Sequence, residues 1–290
     1  MFKKSIKRTK KLIKVYSQKK YLKEINDINS YASIFYNLAN NYSLLKEIKY
    51  SIKNYKICMN ILKDDVLELY DRKLYLICQI NYYIHLYQYD RMQFKCVIDK
   101  LSTLIITLDI MANDKYYKQI LITALINKGA IFNDEKEYKL AILEYKKAEK
   151  KMFPLDTYYD LTQFIHNRLN ISNIYLKIQP EQVEKSIDEL INNIDENSIY
   201  QNDYQTKEYL AFAYLYKAQS FKILSKDDKY SINLNIYINK MLKIIQYLSD
   251  INIFLAKDKY FILNNDIDIT HINNNNQKEL LNISKKLNII

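Results

Sequence analysis

Hydrophobic residues return at intervals of three and four along almost the whole chain, the spacing that lines one face of an α-helix. Near the N-terminus the stripe is Phe2, Ile6, Ile13 and Tyr16, with Thr9 between and Leu12 and Val15 widening it. The pattern predicts helices over 3–26, 31–46, 49–63, 66–88, 91–111, 115–133, 136–152, 156–178, 181–194, 203–224, 229–248 and 277–288. The last is expected to start after Asn276, with Glu279 closing a capping box, and the run NNNN at 273–276 reads as a turn or tether. One stretch, YFILNNDIDITHI (260–272), breaks the helical period and reads as a loop or a small hairpin.

The punctuation of the chain supports an all-helical reading. One glycine and two prolines in 290 residues leave few positive-φ corners for sandwiches, barrels or parallel sheets. Helices joined by Asn, Asp and Lys turns need none. Asn and Lys are abundant in a way that suggests an AT-rich coding bias, so their abundance alone carries little. No apolar run approaches the ~18 residues of a membrane helix, and the N-terminus lacks the apolar core of a secretory signal.

The only glycine, Gly129, anchors a set of spacings. Phe132 lies three residues on, Ala141 twelve, Tyr145 sixteen and Ala148 nineteen, and Pro154 follows. Small residues let two antiparallel helices approach, and aromatics fill the gaps beside the crossing. The same offsets run through Ala39, Tyr42, Ser51, Tyr55 and Cys58. Ser172, Tyr175 and Ser186 repeat them with about two extra residues in the turn, and Ala218 and Phe221 repeat the first half. Between 66 and 111 a helix pair is evident, but either Ile80 or Ile84 can hold the small-residue position.

This set resembles the tetratricopeptide repeat (TPR) over roughly residues 31–249. Its helix B starts recur at about 41 to 49 residues rather than ~34, so helices or turns are longer than the family's. In helix length and in the N-L-A-x-x-Y style of helix A it is similar to the TPR-type peptide-sensing regulators of Gram-positive bacteria. The resemblance implies a right-handed α-solenoid of about five antiparallel helix pairs. A basic helix (1–30) would precede it and a C-terminal capping segment (250–290) would follow.

In that family the second, fifth, ninth and twelfth positions of helix A face the ligand. Carried over, the resemblance nominates Ser33, Tyr36, Asn40 and Ser43 in the first repeat, and Thr123 and Asn133 (with Ile126 and Ala130) in the Gly129 repeat. His166 and Asn173 (with Leu169 and Leu176), then Gln219 (with Phe212, Leu215 and Lys222), complete it. Amides at such positions both donate to and accept from an extended peptide backbone. The carboxylate-clamp subclass needs Lys at the fifth position, where this chain has Tyr36, so a chaperone-tail clamp is not expected.

Charge is concentrated at one end. Residues 1–30 hold ten basic residues and two acids, and the remaining 260 hold 34 and 31. The first helix therefore carries a candidate anionic-surface patch: Lys3, Lys4, Lys7, Arg8, Lys10, Lys11 and Lys14.

No catalytic constellation emerges. His85, His166 and His271 lie far apart, and no HExxH, GxSxG or P-loop occurs. The acidic pairs Asp64-Asp65, Asp134-Glu135, Asp195-Glu196 and Asp227-Asp228 read as helix caps. Cys58, Cys78 and Cys96 have no metal-ligand spacing and read as buried, reduced thiols, which suits a cytoplasmic protein. No cofactor and no metal are expected. The function expected is a non-enzymatic scaffold or regulator that binds a protein or peptide. Nucleic acid bound through the basic helix is the alternative, and self-association as a homodimer stays open.

Overall fold

A computed structural model describes residues 2–18, 25–63, 69–196, 203–224, 228–251 and 274–286. It has twelve α-helices there and, among the described residues, no strand: α1 (Phe2–Gln18), α2 (Ile25–Leu44), α3 (Ile48–Ile61), α4 (Leu69–Tyr89), α5 (Phe94–Met111), α6 (Lys115–Asp134), α7 (Tyr138–Met152), α8 (Tyr158–Ile178), α9 (Glu181–Glu196), α10 (Tyr204–Leu224), α11 (Asp228–Ile251) and α12 (Asn274–Lys286). A 3₁₀ turn, Arg91–Gln93, leads into α5. The chain groups into two compact units, Met1–Glu144 and Tyr145–Ile290.

In the first unit, α2 pairs with α3, α3 with α4, and α4 with both α5 and α6. The small-residue rule operates at the α2–α3 crossing. Ala39, Ser51 and Cys58 are fully buried, and the Ser51 hydroxyl donates to the Ala39 carbonyl at 2.9 Å. A serine at an alanine position thus keeps its hydroxyl satisfied across the crossing. Tyr42 and Tyr55 are buried beside it. Gly129, Phe132 and Ala141 are likewise buried.

Both well-matched repeats turn from helix A to helix B in the same way. Lys46 and Lys136 each take positive φ, at 60° and 62°. The next amide, Glu47 or Glu137, donates back to the carbonyl of Tyr42 or Phe132 at 2.9 and 2.8 Å. Left-handed geometry at a helix end usually falls to glycine. This chain places lysine there, which answers how it turns corners with one glycine in its length.

Burial settles the α4–α5 register. Tyr87, Val97, Leu101, Leu104 and Leu108 are buried, while Ile84 is only partly so. Measured from Ile84, Tyr87, Val97, Leu101 and Leu104 fall on the repeat's offsets with one extra residue in the turn, the 3₁₀ turn supplying it, and Leu108 continues the stripe. From Ile80 the second helix would begin its buried stripe at Met92, which is 90% exposed.

In the second unit, α8 pairs with α9 and α10 packs on both. Ser172 and Ser186 meet at the α8–α9 crossing with their hydroxyls 2.9 Å apart. An apolar cluster joins α10 to α11: Ala211, Leu215, Ala218 and Phe221 against Leu234, Ile238, Met241 and Leu242, with Ile283 of α12 added. The Phe221 and Tyr237 rings stack, 5.5 Å apart and nearly parallel. An aromatic on α11 therefore stands near the crossing, where the second half of the repeat departs from its pattern.

Several expectations need correction. Helix α2 starts at Ile25, six residues before position 31. Helix α12 starts at Asn274, so 274–276 form its first turn and Asn276 is not its cap. Asn276 is buried and donates to the Asn235 carbonyl at 3.1 Å. That long-range bond outweighs the turn preference of an Asn run.

The acidic pairs do not supply the caps seen. Asp90, Asp114, Thr157 and Asp203 do, accepting from amides two or three residues on. Asp134 ends α6, and Asp195-Glu196 end α9; Asp64-Asp65 and Asp227 lie outside the described residues. Cys96 is exposed, not buried; Cys58 and Cys78 are buried, their sulfurs 3.2 Å apart in the α3–α4 core. Residues 260–272 lie outside the described residues.

Candidate binding surfaces

Three helix A positions nominated in the first unit, Tyr36, Asn40 and Ser43, gather into one polar cluster. Ser33, Tyr36, Asn40 and Ser43 share a face of α2 and are all half-buried. Tyr55, rising from α3, donates its hydroxyl to Asn40 Oδ1 at 2.5 Å. His85 of α4 places Nε2 2.6 Å from Ser43 Oγ and Nδ1 2.7 Å from the Asn81 carbonyl. A carbonyl only accepts, so Nδ1 carries the proton and the Ser43 hydroxyl donates to Nε2. The Tyr55 ring lies 6.1 Å from that of Tyr36 and 5.3 Å from the His85 ring. Burial, foremost, raises the Tyr55 pKa, keeping its hydroxyl protonated as a donor.

With Ile84 fixing the register, α4 contributes Cys78, Asn81, His85 and Gln88 at the same four positions. His85 is thus the neighbour of Asn40 in the ninth-position row. Sequence reading saw it only as one of three scattered histidines, and the missing signal was the extra residue in the turn.

The other nominated residues of this unit are less engaged. Thr123 turns its hydroxyl back to the Gln119 carbonyl at 3.0 Å, and Asn127 donates to the Thr123 carbonyl at 2.9 Å. Asn133, near the end of α6, has a buried Oδ1 with no hydrogen-bond partner.

In the second unit His166 is exposed on α8, with Nε2 2.5 Å from the Tyr209 hydroxyl of α10. Gln205 donates to the same hydroxyl at 2.9 Å, and Tyr158 donates to Asp203, the α10 cap, at 2.5 Å. These bonds tie together two first helices of neighbouring pairs. Asn173 and Gln219 are half-buried on α8 and α10, one repeat apart.

His85 is buried, and that burial holds its pKa below the usual 6.5, the Asn81 carbonyl pulling partly the other way. The groups that contact it from α2, α3 and α4 (Ser43, Tyr55 and Asn81) are all neutral. The folded state therefore refuses a proton that the unfolded chain accepts. Stability falls as pH drops below about 6.5 and continues to fall towards the lower folded value. Glu149, whose pKa is raised mainly by burial, acts in the opposite sense, but it is common to wild type and a His85→Gln variant. Urea midpoints from about pH 7 to about pH 5.5 should fall more steeply for wild type. Parallel slopes would contradict a buried neutral imidazole.

All seven nominated cations of α1 are exposed. Part of the opposite face packs on α2: Ile6 is buried against Leu38 and Tyr42, and Ser5 Oγ accepts from Asn41 Nδ2 at 3.2 Å. Among the described residues no group of three His, Cys, Asp or Glu side chains stands close enough to hold a metal ion. No described helix is long and apolar enough to cross a membrane.

A network absent from the sequence reading joins α7, α8 and α9. Arg168 lies with Nε 2.9 Å from Glu149 Oε1 and donates from Nη2 to Glu149 Oε2 at 3.0 Å. From Nη1 it donates to Glu189 Oε2 at 2.5 Å. The only available signal was the rarity of arginine, four in the chain.

No protein-family model matches the chain, and no curated protein does. Solved structures match by shape. BtubC (BKLC) from P. vanneervenii aligns over 86% of this chain and 92% of its own, at 14% identity and a TM-score of 0.61. The apo form of RapI aligns over 100% and 94%, at 12% identity and a TM-score of 0.53. Aspartyl phosphate phosphatase F from Bacillus subtilis aligns over 89% of this chain but 60% of its own length, at 16% identity and a TM-score of 0.51. At such identities the likeness is one of fold. Paired antiparallel helices, small residues at their crossings and these neighbours together give the chain a TPR-like, all-α helical-repeat fold.

Proposed function

We propose that this chain is a non-enzymatic scaffold that binds a protein or peptide segment along the first helices of its pairs. The carrying observation is the cluster of Tyr36, Asn40, Ser43 and His85 on two neighbouring first helices. Asn40 Oδ1 is occupied by Tyr55, which orients the amide so that its N–H₂ serves as donor. Ser43 donates its hydroxyl hydrogen bond to His85 Nε2 and keeps its oxygen lone pairs as acceptors. Together they offer a peptide backbone both kinds of partner. Asn173 and Gln219, with His166, offer a second row in the second unit. The buried thiols of Cys58 and Cys78 fit a reducing, cytoplasmic setting.

The test is selection of peptides from a randomised displayed library against the full chain, followed by affinity measurement on variants. Asn40→Ala is made in a Tyr55→Phe background so that no buried hydroxyl is orphaned. Binding should fall about two- to tenfold, the worth of one net hydrogen bond, either in that variant or in Asn173→Ala with Gln219→Ala. Selected peptides that bind both sets like wild type would refute the reading.

A second reading rests on α1. Ile6 and Ile13 of its apolar face are packed on α2, and it presents seven cations to solvent. Binding to nucleic acid by this face would weaken linearly in log–log form with salt. It would be lost in a Lys7→Glu, Arg8→Glu, Lys11→Glu variant.

A further inference from the structure

Helices α7, α8 and α9 enclose a pocket of about 240 Å³ that shares no residue with the rows described above. Its floor is the Glu149–Arg168–Glu189 network, with Ser186 beside it. The exposed Lys146 of α7 and Lys185 of α9 also line it. The two carboxylates are not equivalent. The Glu149 side chain is 9% exposed, and its carboxylate takes two nitrogens of the guanidinium; the Glu189 side chain is 44% exposed and takes one. Arg168 itself is 15% exposed.

We infer that this pocket is a docking site for an acidic side chain of a partner protein, with Glu189 as a resident stand-in for the ligand. Glu149 is the fixed counter-ion of Arg168. Glu189 can swing to water, and an incoming oxyanion then takes its place on Nη1. The exchange swaps one anion for another, so the charge beside Arg168 is unchanged and little extra desolvation is incurred. Lys146 and Lys185 favour an anion. A cationic group would meet three positive charges and find both carboxylates already bound to Arg168. The volume lies below the roughly 300–1,000 Å³ of small-molecule sites, which favours one side-chain head group over a free metabolite. A carboxylate and a phosphate share the required chemistry.

The chain's four arginines make the test direct, because the side-chain Nε–H spectrum of the ¹⁵N-labelled full chain has four signals. Lysine substitutions at Arg8, Arg72 and Arg91 assign the fourth to Arg168. N-acetyl-glutamate amide and N-acetyl-phosphoserine amide are titrated separately at constant ionic strength. The Arg168 signal should shift and saturate with at least one probe, and the stronger of the two names the source of the oxyanion. Glu189→Ala should tighten that binding about two- to fivefold, the value of one half-exposed ion pair. Lys146→Ala with Lys185→Ala should weaken it by about as much. Arg168 is left intact because it also neutralises Glu149. No shift with either probe would overturn the proposal, as would a shift that Glu189→Ala leaves unchanged or weakens. Neither result bears on the first-helix rows, which use other residues.

Discussion

Arg168→Met should lower the unfolding free energy by about 3–5 kcal/mol, the usual cost of removing one partner from a buried ion pair. The loss comes from what remains. The Glu149 side chain is 9% exposed, and without Arg168 its carboxylate loses the guanidinium that touches it. Burial already pushes the Glu149 pKa up against the opposing pull of Arg168; without Arg168 it rises further. A carboxyl whose folded pKa exceeds its unfolded value near 4.5 binds its proton more readily when folded. The variant should therefore regain stability as pH falls from about 7 towards 5, the reverse of ordinary acid destabilisation. Adding Glu149→Met should restore most of the loss at neutral pH, since a well-packed apolar pair is often as stable as the ion pair it replaces. Urea titrations of the three proteins decide this. A single variant as stable as wild type would contradict the burial argument.

A second large effect is expected to be one-sided. Lys217 is a buried lysine: its side chain is 2% exposed, and Nζ lies 2.6 Å from Asp188 Oδ1, 3.9 Å from Glu184 Oε1 and 4.4 Å from the centre of the Tyr237 ring. Burial alone would lower its pKa, but the Asp188 hydrogen bond and its neighbours bring the net shift upward. Asp188→Ala should cost about 3 kcal/mol, because it leaves a buried ammonium with only the more distant Glu184 carboxylate as counter-charge. Lys217→Met should change stability by no more than about 1 kcal/mol, because Asp188 and Glu184 are half-exposed and return to water while a straight apolar chain refills the space. Equal losses in the two variants would show that the pair itself, not the stranded charge, sets the cost.

The helices were legible because their evidence is local. Apolar residues three and four apart mark each buried face. The offsets from Gly129 and Ala39 mark two helix crossings, since only small side chains fit there. Where the small residue is replaced by Ile84 and the turn grows by one, the offsets blur, and His85 drops out of the row it occupies. The Arg168 network was invisible for a different reason. Its partners stand 19 and 21 residues away, on other helices, at spacings no periodicity records. Asn276 likewise takes its place from an acceptor 41 residues distant, which overrides the turn tendency of its neighbours. Cys96 followed the apolar stripe of its helix yet faces solvent, because a stripe gives the period of a face and not its edges. The first-helix rows came from family resemblance. Their offsets were readable, but the polar bonds that join Asn40, Ser43 and His85 were not.

Hydrogen–deuterium exchange of the full chain, with and without a peptide selected against it, tests the scaffold reading most directly. The account predicts that added protection falls on α2 and α4, or on α8 and α10, the first helices that carry the Asn40–His85 and Asn173–Gln219 rows. Protection confined to α1, or to the second helices α3, α5, α7 and α9, would contradict it.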